Sequence, residues 1–191
     1  NGLDITRRNR GMWIIDFGCD TPLEAAALYE LPMRHVEEYV KPARDRNNRA
    51  SYRIKWWLHV EPRPKMRNAL MGLSRFLATI SVGKHRLFVW MSAPTLPDHQ
   101  LFAFAFGDDD CVGVLHSRFH EIWARSQGTQ VRERESGFRY TPTTCFETFP
   151  FPDMSDSQRN AIASAAKELD ELRNNWLNPP EWTRHEVLEF P

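Results

Sequence analysis

Apolar and polar positions change period several times along the chain, and each change marks an expected element. Residues 12–17 (MWIIDF) make a short, mostly apolar run that stops at Gly18, the pattern of a buried strand. Thr21 before Pro22 predicts an N-cap and a first helical position, because proline's missing N–H is harmless in a first turn, and the helix continues over residues 23–29. A second helix is predicted over 32–40, stopping before Pro42. Pro62 and Pro64 bracket a turn. From Pro64 the apolar positions Met66, Ala69, Leu70, Leu73 and Leu77 recur at helical spacing, with Arg67 and Arg75 projecting elsewhere.

Residues 87–91 are apolar without alternation, and 101–106 alternate large Phe102, Phe104 and Phe106 with small Ala103 and Ala105; both predict strands, expected to be neighbours. Asp108, Asp109 and Asp110 are expected to cap one long helix whose stripe is Val112, Leu115, Phe119, Ile122 and Trp123, ended by Gly128. Residues 129–137 are polar and read as a loop or exposed hairpin, and the tract that follows is expected to add another strand. Ser155 with Gln158 forms a capping box for a last helix, with Ile162, Ala166, Leu169, Leu172 and Trp176 on one side and Asn178-Pro179-Pro180 as its stop. The expected fold class is α+β, a mixed or mainly antiparallel sheet packed with helices plus a C-terminal helical appendage. The expected division is 1–152 for the main domain and 153–191 for the appendage.

Charge changes the picture more by its position than by its sum. The formal net charge is zero, which by itself argues against a nucleic-acid partner. Yet residues 41–75 hold ten basic side chains (Lys41, Arg44, Arg46, Arg49, Arg53, Lys55, Arg63, Lys65, Arg67, Arg75) against Asp45 and Glu61. Such a block can bind phosphate whatever the total, since local potential and counterion release govern affinity; it can equally be a solvated surface. Three cysteines (Cys19, Cys111, Cys145) lack metal or disulfide spacing, and no signal peptide or membrane-length apolar run occurs. A reducing cytoplasm, with no membrane partner, is the expected setting.

Several constellations invite a catalytic reading. His116 and His120 stand four apart on a helix, a metal-binding spacing, but Ser117 follows the first histidine where a zinc site of the HExxH type has its glutamate. Burial with hydrogen bonds explains them with fewer assumptions. Asp108 to Asp110 resemble magnesium ligands of a nuclease, and helix capping explains them as well. Asn178-Pro179-Pro180-Glu181 is not an adenine-flipping loop, because Glu181 offers no ring to stack on a base. The nine glycines are scattered, so no phosphate-cradling loop for S-adenosylmethionine is expected here. No catalytic or metal-ligating residue is therefore assigned.

Residues 139–152 read RYTPTTCFETFPFP, and this tract resembles the end of the target recognition domain in single-chain type IIG/IIL restriction-modification enzymes, the MmeI-like group. Four more tracts match in order: RGMWIIDFG (10–18), LMGLSRFLAT (70–79), KHRLFVW (84–90) and VLHSRFHEIW (114–123). Gly83 departs from the family pattern, which has Ser there. The resemblance implies a non-catalytic, sequence-specific reader of double-stranded DNA that directs N6-adenine methylation and cleavage. The catalytic domains would precede residue 1 on the same polypeptide. S-adenosylmethionine and magnesium are then expected for the parent enzyme, with no cofactor in this part.

Phosphate contacts are expected from Arg44, Arg46, Arg49, Arg53, Lys55, Arg63, Arg67 and Arg75. Trp56 and Trp57 are either a stacking wedge beside Lys55 or core. Base edges are expected to meet two polar excursions: Lys84, His85 and Arg86 in one, and Gln130, Arg132, Glu133, Arg134 and Arg139 in the other, with Glu135 as a further acceptor. Alternating Arg and Glu over 132–135 can also be a salt-bridged surface hairpin. Two rivals stay open, a basic RNA-binding or scaffold domain and a metal-dependent nuclease built on His116, His120 and the aspartates.

Overall fold

The helical spacing read across residues 64–77 breaks at Gly72, whose φ of 86° lies in the left-handed region open to glycine. A helix, Pro64–Leu70, ends before it and a strand, Arg75–Ile80, follows, so Leu73 and Leu77 do not belong to one helical face. The structure, a computed structural model, describes residues 1–130 and 137–182. Its fold class is α+β with two small antiparallel sheets and a long C-terminal helix. The chain divides into a larger unit, residues 1–10 with those from 70 onward, and a smaller one, Gly11–Ala69.

α1 (Gly2–Thr6) belongs to the larger unit. The smaller unit is built from short helices: α2 (Leu23–Ala26), α3 (Glu30–Tyr39), α4 (Lys41–Asp45), α5 (Ala50–Ile54) and α6 (Pro64–Leu70). Its core is Ala26, Met33, Val36 and Trp56, flanked by Ile15, Phe17, Leu23, Val40 and Trp57. Residues 12–17 are not a strand: the run has no regular secondary structure, with Ile15 and Phe17 packed inward on the helical core and Trp13 81 % exposed. Thr21 does not cap α2; its hydroxyl donates to the Phe17 carbonyl and the helix begins at Leu23, after Pro22. The tryptophan pair is core, edge to face at 5.9 Å, with Trp57 Nε1 donating to the Thr21 carbonyl at 2.8 Å.

In the larger unit β1 (Arg75–Ile80) is followed by β2 (Val82–Gly83), β3 (Phe88–Ser92) and β4 (Leu101–Phe104). β1 lies between β3 and β4, antiparallel to both, with Leu77 opposite Trp90 and Phe104. The two strands expected to be neighbours are thus separated by the one that the helical spacing concealed. Phe76, Leu77, Ala78 and Thr79 are all fully buried, as a central strand covered on both faces requires. α1 lies against β1, with Gly2 over Ile80.

The single long helix expected from Asp108 is two, α7 (Asp109–His116) and α8 (Arg118–Gln127). Ser117 is extended at ψ 153° and its hydroxyl caps α8 by accepting from His120 N. The break turns Phe119 (82 % exposed) and Ile122 out of the stripe and brings His120 in. β5 (Thr129–Gln130) and β6 (Phe138–Arg139) follow. The signature tract leaves the strand after Arg139. Over Pro142–Phe146 it forms a turn of π-helix, closed by Glu147 N donating to the Pro142 carbonyl at 2.9 Å. That turn buries Cys145 and sets Phe146 against Phe104, ring centroids 4.7 Å apart, while Phe149 packs on His120. α9 (Asp156–Leu177) starts at the expected capping box. It packs on α7 where Gly113 leaves room for Ile162, and Asp110–Arg159 (2.5 Å) and Asp109–Lys167 (3.6 Å) tie the two helices. Asp108 stands at the N-cap but makes no side-chain cap bond. Only the first half of the α9 stripe is covered; Leu172 and Trp176 are exposed.

Both helix histidines are structural. His116 Nε2 lies 3.1 Å from Phe88 N and 2.9 Å from Phe88 O, while His120 spans the Leu115 carbonyl (2.9 Å) and the Tyr140 hydroxyl (3.1 Å). Burial pushes both imidazoles below the ordinary histidine range, so the unfolded chain takes up protons first as pH falls. Their contribution is full above about pH 6.5 and is lost below it, through the window down to the lowered native values. Urea midpoints should therefore fall between about pH 7.5 and about pH 5.5. A midpoint that holds or rises would exclude neutral burial of the pair. Asp4, held low by a hydrogen bond from Arg10, loses its contribution only in more acid solution.

Candidate nucleic-acid interface

The two polar excursions, some fifty residues apart in sequence, meet in the second sheet. Its order is β2-β6-β5, with Val82 opposite Arg139, Gly83 opposite Phe138, Thr129 opposite Arg139 and Gln130 opposite Phe138. Lys84 and His85 leave β2 exposed, beside β6, whose Arg139 is also exposed. Gln130 is exposed as well and closes the base of the hairpin, its Nε2 donating to the Gly137 carbonyl at 3.0 Å. Arg132, Glu133, Arg134 and Glu135 lie outside the described residues.

Glycine makes this approach possible at two points. Gly137 has φ 87°, and a Cβ there would fall 2.2 to 2.4 Å from the backbone of Gly83 and Lys84. At Gly83 a Cβ would meet Ile80 Cδ1 at 2.3 Å, so the serine of the family pattern requires Ile80 to move. The hairpin's base therefore rests backbone on backbone against the start of the Lys84 turn. Neither glycine is legible as such from charge or periodicity.

Arg86 differs from its two neighbours. Its guanidinium turns inward, donating to Thr79 Oγ1 (3.2 Å), the Ile80 carbonyl and the Phe138 carbonyl (3.3 Å), and lying over the rings of Phe138 and Tyr140 at 5.0 and 4.8 Å. Burial lowers its pKa to about 10, which still leaves it charged at neutral pH. Expected at a base edge, it instead joins β1, the 84–87 turn and β6. Arg125, not singled out from sequence, lies 5.9 Å from the centre of the Phe138 ring and pairs with Glu121.

The expected phosphate contacts separate into two kinds. Arg67 is held bidentately by Asp16 (2.7 and 3.0 Å) and donates to the Pro62 carbonyl, which ties α6 to the segment before α2. Arg75 donates to the Gly107 carbonyl and Asp109 and stacks on Trp90 at 3.9 Å. Arg63 pairs with Glu61, and Lys55 with Asp20 at 3.3 Å across an exposed surface. Arg46, Arg49 and Arg53 are exposed on α4, α5 and the turn between them, and Arg44 and Arg49 approach the Tyr52 ring at 5.2 and 5.8 Å. Tyr52 was missed in the sequence, although its spacing of three from Arg49 was a usable signal. Arg53 also donates through Nη1 to the Asn47 carbonyl, so within this cluster Arg46 and Arg49 are turned to solvent, and Arg44 and Arg49 to an aromatic ring.

Among the described residues, no group of three or more His, Cys, Asp or Glu is placed to hold a metal ion, and no helix is long and apolar enough to cross a membrane. No protein-family model matches the chain, and no solved structure matches it. An 81-residue stretch, 42 % of the chain, is 27 % identical to DNA methyltransferase A of Bacillus subtilis (strain 168). That stretch spans 9 % of the length of that protein, so the similarity is distant and partial.

Proposed function

We propose that the chain is a sequence-specific double-stranded DNA recognition module of a restriction-modification enzyme of the MmeI-like type. In this reading it is non-catalytic. It directs N6-adenine methylation and cleavage by catalytic domains elsewhere in its polypeptide, which would use S-adenosylmethionine and magnesium. The observation that carries the reading is the β2-β6-β5 sheet, in which Gln130 and Arg139 lie on neighbouring strands and Lys84 and His85 follow directly on β2, all four exposed. Donors and acceptors presented together on a narrow antiparallel ribbon suit the major groove, which admits such a ribbon and displays a distinct pattern for each base pair. The similarity to a DNA methyltransferase supports DNA as the partner. Arg44, Arg46, Arg49 and Arg53 are the proposed phosphate contacts of the smaller unit, while Arg67, Arg75 and Arg86 serve as positioning residues.

Selection from a randomised duplex pool tests this. The chain should enrich one short motif, prefer duplex DNA over RNA, and lose affinity steeply with salt. Lys84→Ala or Arg139→Ala should relax one base position by about 1–3 kcal/mol, whereas Arg46→Ala should weaken all sequences alike. Equal affinity for RNA with no enriched motif would favour a scaffold role instead, and DNA cleavage by the chain abolished by EDTA would favour the nuclease.

A further inference from the structure

The smaller unit contains a cleft of about 220 Å³ between residues 19–20, the α4–α5 region and residues 58–62. Cys19, Asp20, Arg44, Ser51, Lys55 and His59 contribute to its walls. Of these residues, Arg44 and His59 each carry one nitrogen, Nη1 and Nε2, that is closed off from solvent without a hydrogen-bond partner. A buried N–H left without an acceptor is unfavourable, and more so when charged; the Arg44 guanidinium is such a donor, and His59 Nε2 is one in the tautomer that carries its proton there, so the cleft suits a ligand that offers acceptors.

The local carboxylates do not meet that need. Asp20 is engaged by Lys55 and Asp16 by Arg67, and the distance from His59 Nε2 to Asp16 Oδ1 is 3.8 Å, too long for a hydrogen bond. Tyr52 fixes the Arg44 guanidinium by stacking, which orients its fork. A guanidinium fork, an ammonium, a hydroxyl and an imidazole form a donor set for a tetrahedral oxyanion, because together they present several N–H and O–H groups and net positive charge. The volume is several times the ~30 Å³ share of one water, so a phosphate group has room.

We propose that this cleft is a phosphate pocket, with Arg44, Ser51, Lys55 and His59 of its walls as the donors. It takes one tetrahedral phosphate group, from a nucleic-acid backbone or from a free phosphate ester. The inference rests on the DNA reading above only for the source of the phosphate; its chemistry stands on the cleft.

Cys19 in the cleft wall provides the readout, and Cys111, equally half-buried but on α7, is the internal reference. Alkylation of both by iodoacetamide is followed by mass spectrometry while inorganic phosphate is titrated at constant ionic strength. Phosphate should slow Cys19 relative to Cys111 saturably, by about threefold at twice its dissociation constant. Arg44→Gln should abolish the protection. Ser51→Ala, which leaves the Tyr52 stack in place, should weaken it and guards against a folding defect in the first variant.

In parallel, a short duplex is added and its binding followed by anisotropy. Protection by duplex that phosphate competes away assigns the pocket to a backbone phosphate. Protection by phosphate with none by duplex assigns it to a free ester, and if duplex also fails to bind, the DNA reading falls while the pocket stands. Duplex binding with no protection of Cys19 by either anion overturns the pocket and leaves the DNA reading intact. Full protection retained in both variants also overturns it.

Discussion

Gly137→Ala is expected to lower the stability of the larger unit by about 2–5 kcal/mol, from about 1–2 kcal/mol of left-handed strain and about 1–3 kcal/mol of overlap, and under the proposed DNA-reading function to abolish base selectivity with it. The new methyl would lie 2.2 Å from the Gly83 carbonyl carbon, 2.3 Å from its oxygen and 2.4 Å from Lys84 N. All three are backbone atoms, so no side-chain rotation relieves them. Relief requires β6 to withdraw from β2, breaking the pairing of Val82 with Arg139 and of Gly83 with Phe138. Urea unfolding measures the loss, and amide exchange at Val82 and Arg139 reports whether it begins at this pair. Gly83→Ala should cost less, because the obstructing atom is the end of the Ile80 side chain. An alanine at 137 within about 0.5 kcal/mol of the parent would mean that the hairpin does not rest on the Lys84 turn.

Arg86→Met is expected to cost about 3 kcal/mol, since charge-assisted hydrogen bonds contribute about 1.5–3 kcal/mol each and do not add fully. Its loss leaves the Thr79 hydroxyl and the Ile80 and Phe138 carbonyls without this donor and empties the space between the Phe138 and Tyr140 rings. Arg86→Lys should recover little, because one ammonium cannot span three acceptors that a planar fork reaches together. Denaturant midpoints and the ring resonances of Tyr140 give the structural readout, and duplex selection gives the functional one. The expected result is a loss of stability and, under the proposed function, selectivity weakened at every position. Unchanged stability with relaxation at a single base would return Arg86 to the reading face.

The local signals most legible in the sequence were those that depend on neighbours within one turn of chain. The Ser155–Gln158 capping box starts α9 as expected, Gly128 ends α8, and the apolar runs at 87–91 and 101–106 contain most or all of the strands Phe88–Ser92 and Leu101–Phe104. Errors arose where one local pattern satisfied two structures. Leu70, Leu73 and Leu77 are spaced as on a helix, but a left-handed Gly72 between them redirects the chain, and Leu77 is buried because it lies in a central strand. Val112, Leu115, Phe119 and Ile122 form a stripe on paper, yet Ser117 divides it, since a hydroxyl that can cap a second helix competes with continuation of the first.

Charge was less informative still. Arg46, Arg67, Arg75 and Arg86 look alike as letters, but three of them are held by Asp16, by Asp109 with Trp90, or by backbone carbonyls, and Arg46 faces solvent. Which cation remains available depends on carboxylates and carbonyls distant in sequence, such as Asp16 for Arg67, 51 residues away.

By itself the sequence determined the α+β class, the segments of α2, α3, α9, β3 and β4, the basic block at 41–75 and the two polar excursions, because propensity, capping and apolar period act over a few residues. Tertiary structure alone decided the strand order β3-β1-β4, the division of the arginines and the joining of Lys84 and His85 to Gln130 and Arg139. These depend on which surfaces exclude water together and which donors find acceptors across the fold, and pairing of that range leaves no periodic trace in the chain.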